Sequence, residues 1–168
     1  MIRLSDKKDI NSIIGLWCEC FGDSEEDVRF FLDNCYTPKN TLVYEVNGEI
    51  ASMLFLLEGD MSVSGVDYPS YYLYAACTSK KHRGKGLMAD LLSFAKKVAM
   101  ERKRSFICLR PGEHSLFKFY EKHGYKTVFY INRAEYKIKN LSDIISDNSA
   151  DICCNREELR NSAFSGNV

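Results

Sequence analysis

A chain of 168 residues, 45% hydrophobic and 27% charged, has the size and balance of one globular domain, able to bury roughly 70% of the surface its unfolded form exposes. Its 23 basic and 23 acidic residues cancel, which argues against the broad electrostatic footprint of a nucleic-acid or anionic-membrane binder and favours a small-molecule or peptide ligand. No apolar stretch approaches the ~20 residues that span a bilayer, and the opening MIRLSDKKDI lacks the apolar core of a signal peptide, so a cytoplasmic location is expected.

Taken in chain order, Ile2 to Leu4 is a short apolar run suited to a strand, and Asp6 and Asp9 suit the first turn of a helix. Ile10, Ile13, Ile14, Trp17 and Phe21 then recur at helical spacing, with Gly22 placed as a C-terminal cap. A second helix is predicted from Ser24 as N-cap through Val28, Phe31, Leu32 and Cys35, with Pro38 ending it. Thr41 to Val46 reads as a strand, Asn47-Gly48 as a tight hairpin turn, and Ile50 to Leu57 as the returning strand. Further turns are expected at Glu58-Gly59-Asp60 and between Gly65 and Pro69, after which Tyr71 to Thr78 forms a strand. Leu87, Met88, Leu91, Leu92, Ala95, Val98 and Ala99 mark a long helix with one buried face. Ser105 to Leu109 is predicted as a strand parallel to Tyr71–Thr78 through a right-handed crossover. Leu116 to Tyr120 forms a short helix closed by Gly124, and Lys126 to Tyr136 supplies one or two last strands. This order specifies an α/β (α+β) fold, a mixed and mostly antiparallel central sheet flanked by helices, over residues 1–139. Residues 140–168 lose the core pattern and form a partly helical C-terminal extension.

The chemistry concentrates at Lys81-His82-Arg83-Gly84-Lys85-Gly86, between a strand and a helix. A strand that ends in a glycine turn and restarts as a helix leaves several backbone N–H groups unpaired and convergent, which attracts an anion. Gly84 and Gly86 let the backbone curl around a diphosphate, while Arg83 and Lys85 add charge. The alternative is a solvated basic turn. Two other phosphate loops fail on sequence. A Walker loop needs Gly-Lys-Ser/Thr where Gly86-Leu87-Met88 stands, and a dinucleotide fingerprint needs a third glycine where Ala89 stands.

Together with Phe119-Tyr120-Glu121-Lys122-His123-Gly124-Tyr125, this turn resembles the two characteristic segments of the GCN5-related N-acetyltransferase (GNAT) superfamily. The resemblance covers roughly residues 1–138, with Lys81 where the family carries glutamine or arginine and Lys80 where many members carry proline. It implies an acetyl-CoA-dependent N-acyltransferase that moves an acetyl group directly to a primary amine of a small molecule or peptide, as a monomer or homodimer. The backbone of Ala76, Cys77 and Thr78 would bind the acetyl carbonyl and pantetheine arm. Amides from Arg83, Gly84, Lys85, Gly86, Leu87 and Met88 would take the pyrophosphate. The wording Ala75-Ala76-Cys77-Thr78 is similar to the branch with the enhanced-intracellular-survival type acetyltransferases, whose comparable domain begins a longer chain. On that likeness the tail after Lys139 is a remnant of a second domain.

Acetyl transfer needs a neutral amine, a polarised thioester carbonyl and a proton for the departing thiolate. Tyr120 stands where the family's general acid sits; its other reading is a helix-end aromatic packed on Phe117 and Tyr125. Glu113 is either the base or a cap of the following helix, and His114 is a second candidate base. Cys77 reads as a small packing residue rather than an acyl nucleophile. The seven cysteines, Cys18, Cys20, Cys35, Cys77, Cys108, Cys153 and Cys154, form no C-x-x-C pair and lack zinc spacing, so no metal is expected. The alternative function is a catalytically inactive acyl-CoA-binding regulatory module.

Overall fold

The computed structural model describes residues 1–128. The chain divides into a unit Met1–Tyr125 and a unit Lys126–Val168. The strands expected over 126–136 lie almost wholly outside the described residues, as do the boundary at residue 139 and the tail; Lys126 to Val128 have no regular structure.

Five strands form one sheet in the order β1 (Ile2–Leu4), β2 (Thr41–Val46), β3 (Glu49–Val63), β4 (Val66–Thr78), β5 (Phe106–Cys108). The first four pair antiparallel; β5 lies parallel to β4. This is the mixed, mostly antiparallel sheet expected. The helices are α1 (Ile10–Phe21), α2 (Glu25–Cys35), α3 (Leu87–Glu101) and α4 (Ser115–Lys122). Among the described residues, no helix is long and apolar enough to cross a membrane.

Alternation along β3 explains why Ile50–Leu57 reads as one continuous apolar run. Met53 and Phe55 point to the face covered by α1 and α2, where they meet Ile13, Trp17 and Val28; Leu54 and Leu56 point to the face covered by α3, where they meet Leu91, Leu92 and Ala95. A strand buried on both faces has no polar side to show. Each fully buried Leu, Ile or Phe in these two layers contributes about 1.5–3 kcal/mol.

Local signals set the helix ends. Gly22 closes α1 in the left-handed region at φ 74°, its N–H donating to the Cys18 carbonyl, and the Ser24 side chain accepts from the Asp27 N–H to start α2. Asn47 and Gly48, at φ 52° and 81°, make the predicted hairpin turn.

The second hairpin differs from expectation. No turn forms at Glu58-Gly59-Asp60 or between Gly65 and Pro69: β3 runs through to Val63, with Gly59 opposite Ser70 and Asp60 opposite Pro69. The chain reverses instead at Ser64-Gly65, where φ values of 51° and 79° supply the paired left-handed residues that a two-residue hairpin needs. Gly59 has no such neighbour. The Glu58 carboxylate also draws the strand onward by bonding Asn40 at 3.2 Å and pairing with Lys39 and Arg104.

Candidate functional site

The site begins where the sheet comes apart. On one edge β4 pairs with β3 as far as Thr78, but on the other it meets β5 only at Ser70, Tyr71 and Tyr72. From Leu73 to Thr78 that second edge has no strand partner among the described residues, so its N–H and C=O groups face outward as a template for an extended ligand. Within this stretch Ala75 adopts φ 45°, and the register with β3 shifts between Met53 and Phe55. A bulge of this kind kinks the strand and re-aims its backbone.

The end of β4 is pinned. The Ser52 hydroxyl donates to the Cys77 carbonyl at 2.8 Å and lies 2.8 Å from the Thr78 hydroxyl; the Ser79 N–H donates to the Ala51 carbonyl at 2.9 Å. From α1, Glu19 accepts from the Lys80 N–H at 2.7 Å and from the Ser79 hydroxyl at 3.3 Å. Glu19 was not singled out on sequence, because it sits on the polar side of an amphipathic helix and only the fold brings it to the turn.

A short 3-10 turn, Lys80–His82, follows, then Arg83 in an extended conformation, Gly84 at φ 73° and Gly86 at φ 80°. Leu87 is buried and anchors α3. The first bond of α3 runs from the Asp90 N–H to the Gly86 carbonyl, at 3.1 Å. The amides of Leu87, Met88 and Ala89 therefore precede the helical ladder, and no side chain caps them. A β-carbon built on Gly84 or Gly86 would meet no protein atom within 4 Å. The space above both glycines is open, and what each glycine supplies is its left-handed backbone. Open space, free amides and the positive end of a helix fit a diphosphate.

The basic side chains of the turn divide by partner. Lys81 reaches Glu49 at 2.6 Å and holds that carboxyl below its usual range. The Arg83 Nε donates to the Thr78 carbonyl at 3.1 Å, and the Lys85 Nζ lies 3.5 Å from the His82 Nδ1. Arg83 and Lys85 are both exposed.

Beneath the turn, Cys77 is buried against α1. The neighbouring Cys20 thiol and burial push the Cys77 thiol up, which keeps it protonated and leaves only its backbone to meet a ligand. Cys20 moves the opposite way, to about 7, because the Cys77 thiol bonds to it and the Arg83 cation lies near. Its own Sγ approaches the Thr78 carbonyl at 3.5 Å. Among the described residues no group of His, Cys, Asp and Glu is placed to hold a metal.

Tyr120, near the end of α4, packs with the buried cluster on the α3 face of the sheet. Its ring packs edge-on to Phe119 and Tyr125, with centroids 5.4 and 5.7 Å away. Burial, aided by Tyr72, pushes its phenol above the ordinary value, so it holds its proton at neutral pH. The two sequence readings of Tyr120 are thus compatible: the ring packs while the hydroxyl stays protonated.

Glu113 lies apart from it. It is exposed, accepts a hydrogen bond from the Ser115 hydroxyl in the first turn of α4, and its carbonyl accepts from the Leu116 N–H at 3.2 Å. Glu113 precedes the first turn of α4 and Tyr120 lies in its last turn, so the helix, at about 1.5 Å per residue, separates them. His114 is also exposed, its ring centroid 5.6 Å from that of Phe117.

Residues 1–128 match the family model described as an acetyltransferase (GNAT) domain. No curated protein sequence matches the chain. Among solved structures, a transcriptional regulator from Bacillus halodurans C-125 is similar with TM-score 0.66 and 19% identity, over 81% of this chain and 99% of that one. A glucosamine-6-phosphate N-acetyltransferase from Arabidopsis thaliana is similar with TM-score 0.63 and 17% identity, over 82% and 98% of the two chains. AAC(6')-Iy in complex with the bisubstrate analogue CoA-S-monomethyl-acetylneamine gives TM-score 0.63 and 14% identity, over 80% and 98%. At these identities the likeness is one of fold.

Proposed function

The chain belongs to the GNAT acetyltransferase family, and on that premise we propose that it transfers an acetyl group from acetyl-CoA directly to a primary amine of a small molecule or peptide. The observation that carries this reading is the unpaired edge of β4 past Tyr72, running straight into the uncapped start of α3. One feature offers strand-like hydrogen bonding to a pantetheine arm, and the other offers amides to a diphosphate.

In this reading the amides from Arg83 to Met88 hold the pyrophosphate, with Gly84 and Gly86 setting their direction and Arg83 and Lys85 adding charge. The backbone of Ala76, Cys77 and Thr78 holds the pantetheine and orients the acyl carbonyl. Bound acetyl-CoA supplies an acyl group activated as a thioester. Tyr120 carries the proton that the departing thiolate needs, which is why burial that keeps its phenol protonated is useful. The acceptor ammonium must lose a proton before it attacks. Glu113, tied to Ser115 at the far end of α4, serves this step through water rather than by contact.

Two names among the similar structures bear on the acceptor: one acts on glucosamine-6-phosphate, and another is bound to a CoA–neamine bisubstrate analogue. Both are consistent with a small amine. A second reading, an acyl-CoA-binding module without turnover, is favoured by the distance between Glu113 and Tyr120. Incubation with acetyl-CoA and a panel of amines, following free-thiol release and the acetylated product, decides between them. Thiol release that depends on the amine supports transfer; CoA binding with no thiol release from any amine contradicts it.

A further inference from the structure

Strand alternation puts Tyr72, Tyr74 and Cys108 on the same face of the sheet, on the side of α1 and α2. Arg110 follows two residues after Cys108, at the point where β5 has ended and β4 continues alone. Cys108 is paired with Tyr72, so Arg110, two residues on, lies within about 7 Å of Cys108, beside the opening where β4 continues alone. Burial raises the Tyr72 phenol above its ordinary value, while the nearby Arg110 guanidinium and backbone amide pull against it, and Tyr72 in turn acts on Tyr120. Tyr74 stands beside Tyr72, ring centroids 6.3 Å apart. Tyr72 thus stands near both the Arg110 cation and the Tyr120 phenol, which itself packs with the cluster on the α3 face.

The basic residues that precede β5, at its other end, are engaged. Arg104 pairs with Glu58 at 3.4 Å, and Arg102 donates to Asn40 at 2.8 Å and to Tyr71 at 3.2 Å. Arg110 is exposed and has no ion pair among the described residues. The strand positions that share its face (Leu57, Gly59, Met61, Tyr72, Tyr74) carry no carboxylate. A polycationic amine would meet a like charge here.

We propose that Arg110 binds an anionic group on the acceptor, so that the preferred acceptors are primary amines bearing a carboxylate or a phosphate a few atoms from the nitrogen, and not polycations. The guanidinium fork is the side chain best shaped to take two oxygens of either group. Tyr72 and Tyr74 form the wall along which the rest of the acceptor lies. This inference rests on the acetyl transfer proposed above.

The test measures kcat/KM for matched amines with the full chain and acetyl-CoA. The pairs are phenylalanine against phenylalaninamide, and phosphoethanolamine against ethanolamine, with spermidine as the polycation. The expected result is that Arg110→Gln lowers the ratio of anionic to neutral acceptor by about tenfold or more in at least one pair. The loss falls on the acceptor KM, with the KM for acetyl-CoA unmoved; Arg110→Lys keeps part of the preference. The pair that responds identifies carboxylate or phosphate as the group read. Comparing ratios between wild type and variant removes the intrinsic basicity of each amine. Ratios unchanged in Arg110→Gln, or spermidine as the best substrate, would overturn this inference while leaving acetyl transfer standing. Thiol release with no amine at all, while CoA still binds, would remove the transfer reaction and this inference with it.

Discussion

Replacing Gly84 by valine places a β-branched residue at φ 73°, a backbone region that costs an L-residue about 1–2 kcal/mol and a branched one at least the upper value. Nothing else in the fold objects, because a β-carbon there meets no protein atom within 4 Å. The stability loss is therefore about 2 kcal/mol, and for a chain of this length about 4–8 °C in Tm. Ligand binding responds on a different scale. Relaxing φ toward the β or α region turns the amides that follow Gly84, and the new methyl groups enter the open space above the turn. Losing two charge-assisted hydrogen bonds to a diphosphate, each worth about 1.5–3 kcal/mol, weakens CoA by about a hundredfold or more. Calorimetric titration with CoA, alongside thermal unfolding without ligand, separates the two effects. A variant that unfolds a few degrees lower yet binds CoA within threefold of wild type would refute the assignment of this turn to the pyrophosphate.

Other consequences follow from the same structure. Tyr120→Phe keeps the ring packing against Phe119 and Tyr125 but removes the proton, so kcat should fall by about 10²-fold or more with CoA affinity unchanged; Glu113→Gln should cost much less, and steady-state kinetics of both variants compare them. Cys20, held at about 7 by the Cys77 thiol and Arg83, should be alkylated by iodoacetamide at a rate that climbs through neutral pH and then levels, and Cys20→Ser should abolish that fast phase. Mass mapping that finds the fast site at another cysteine would contradict this. Asp9 is buried, and the Arg3 guanidinium holds its carboxyl below the usual carboxylate range. A depressed folded-state pKa contributes stability that is complete above the ordinary value of about 3.9 and is lost as pH falls through the folded one. The stability gap between wild type and Asp9→Asn should then be widest near neutrality and narrow in acid, as read by urea unfolding at several pH values.

Features that rest on a short local rule are visible in the sequence. Gly22 ends α1, Ser24 starts α2 and Asn47-Gly48 turns the hairpin because each satisfies backbone geometry or hydrogen bonding within a few residues. The α3 face from Leu87 to Ala99 is equally plain, since every core position recurs at helical spacing. The second hairpin was misplaced because Glu58-Gly59-Asp60 has turn composition, while what keeps it extended is pairing with Ser70 and Pro69 and the cross-sheet partners of Glu58. At the site, the glycine turn could be identified from its place between strand and helix. The hold of Glu19 on that turn, the contact of Cys20 with Cys77 and the separation of Glu113 from Tyr120 could not. Each joins residues whose relation is fixed by how α1, β4 and α4 pack, and sequence spacing carries no record of that.

The central claim is that the free amides at the start of α3 and the unpaired edge of β4 together receive one acetyl-CoA molecule. A crystal structure of the chain with acetyl-CoA tests it most directly. The pyrophosphate should lie within hydrogen-bond distance of amides between Arg83 and Met88, and the pantetheine should run along the edge from Leu73 to Thr78 with the thioester facing Tyr120. A pyrophosphate bound elsewhere, or a β4 edge left untouched by the ligand, would contradict the account.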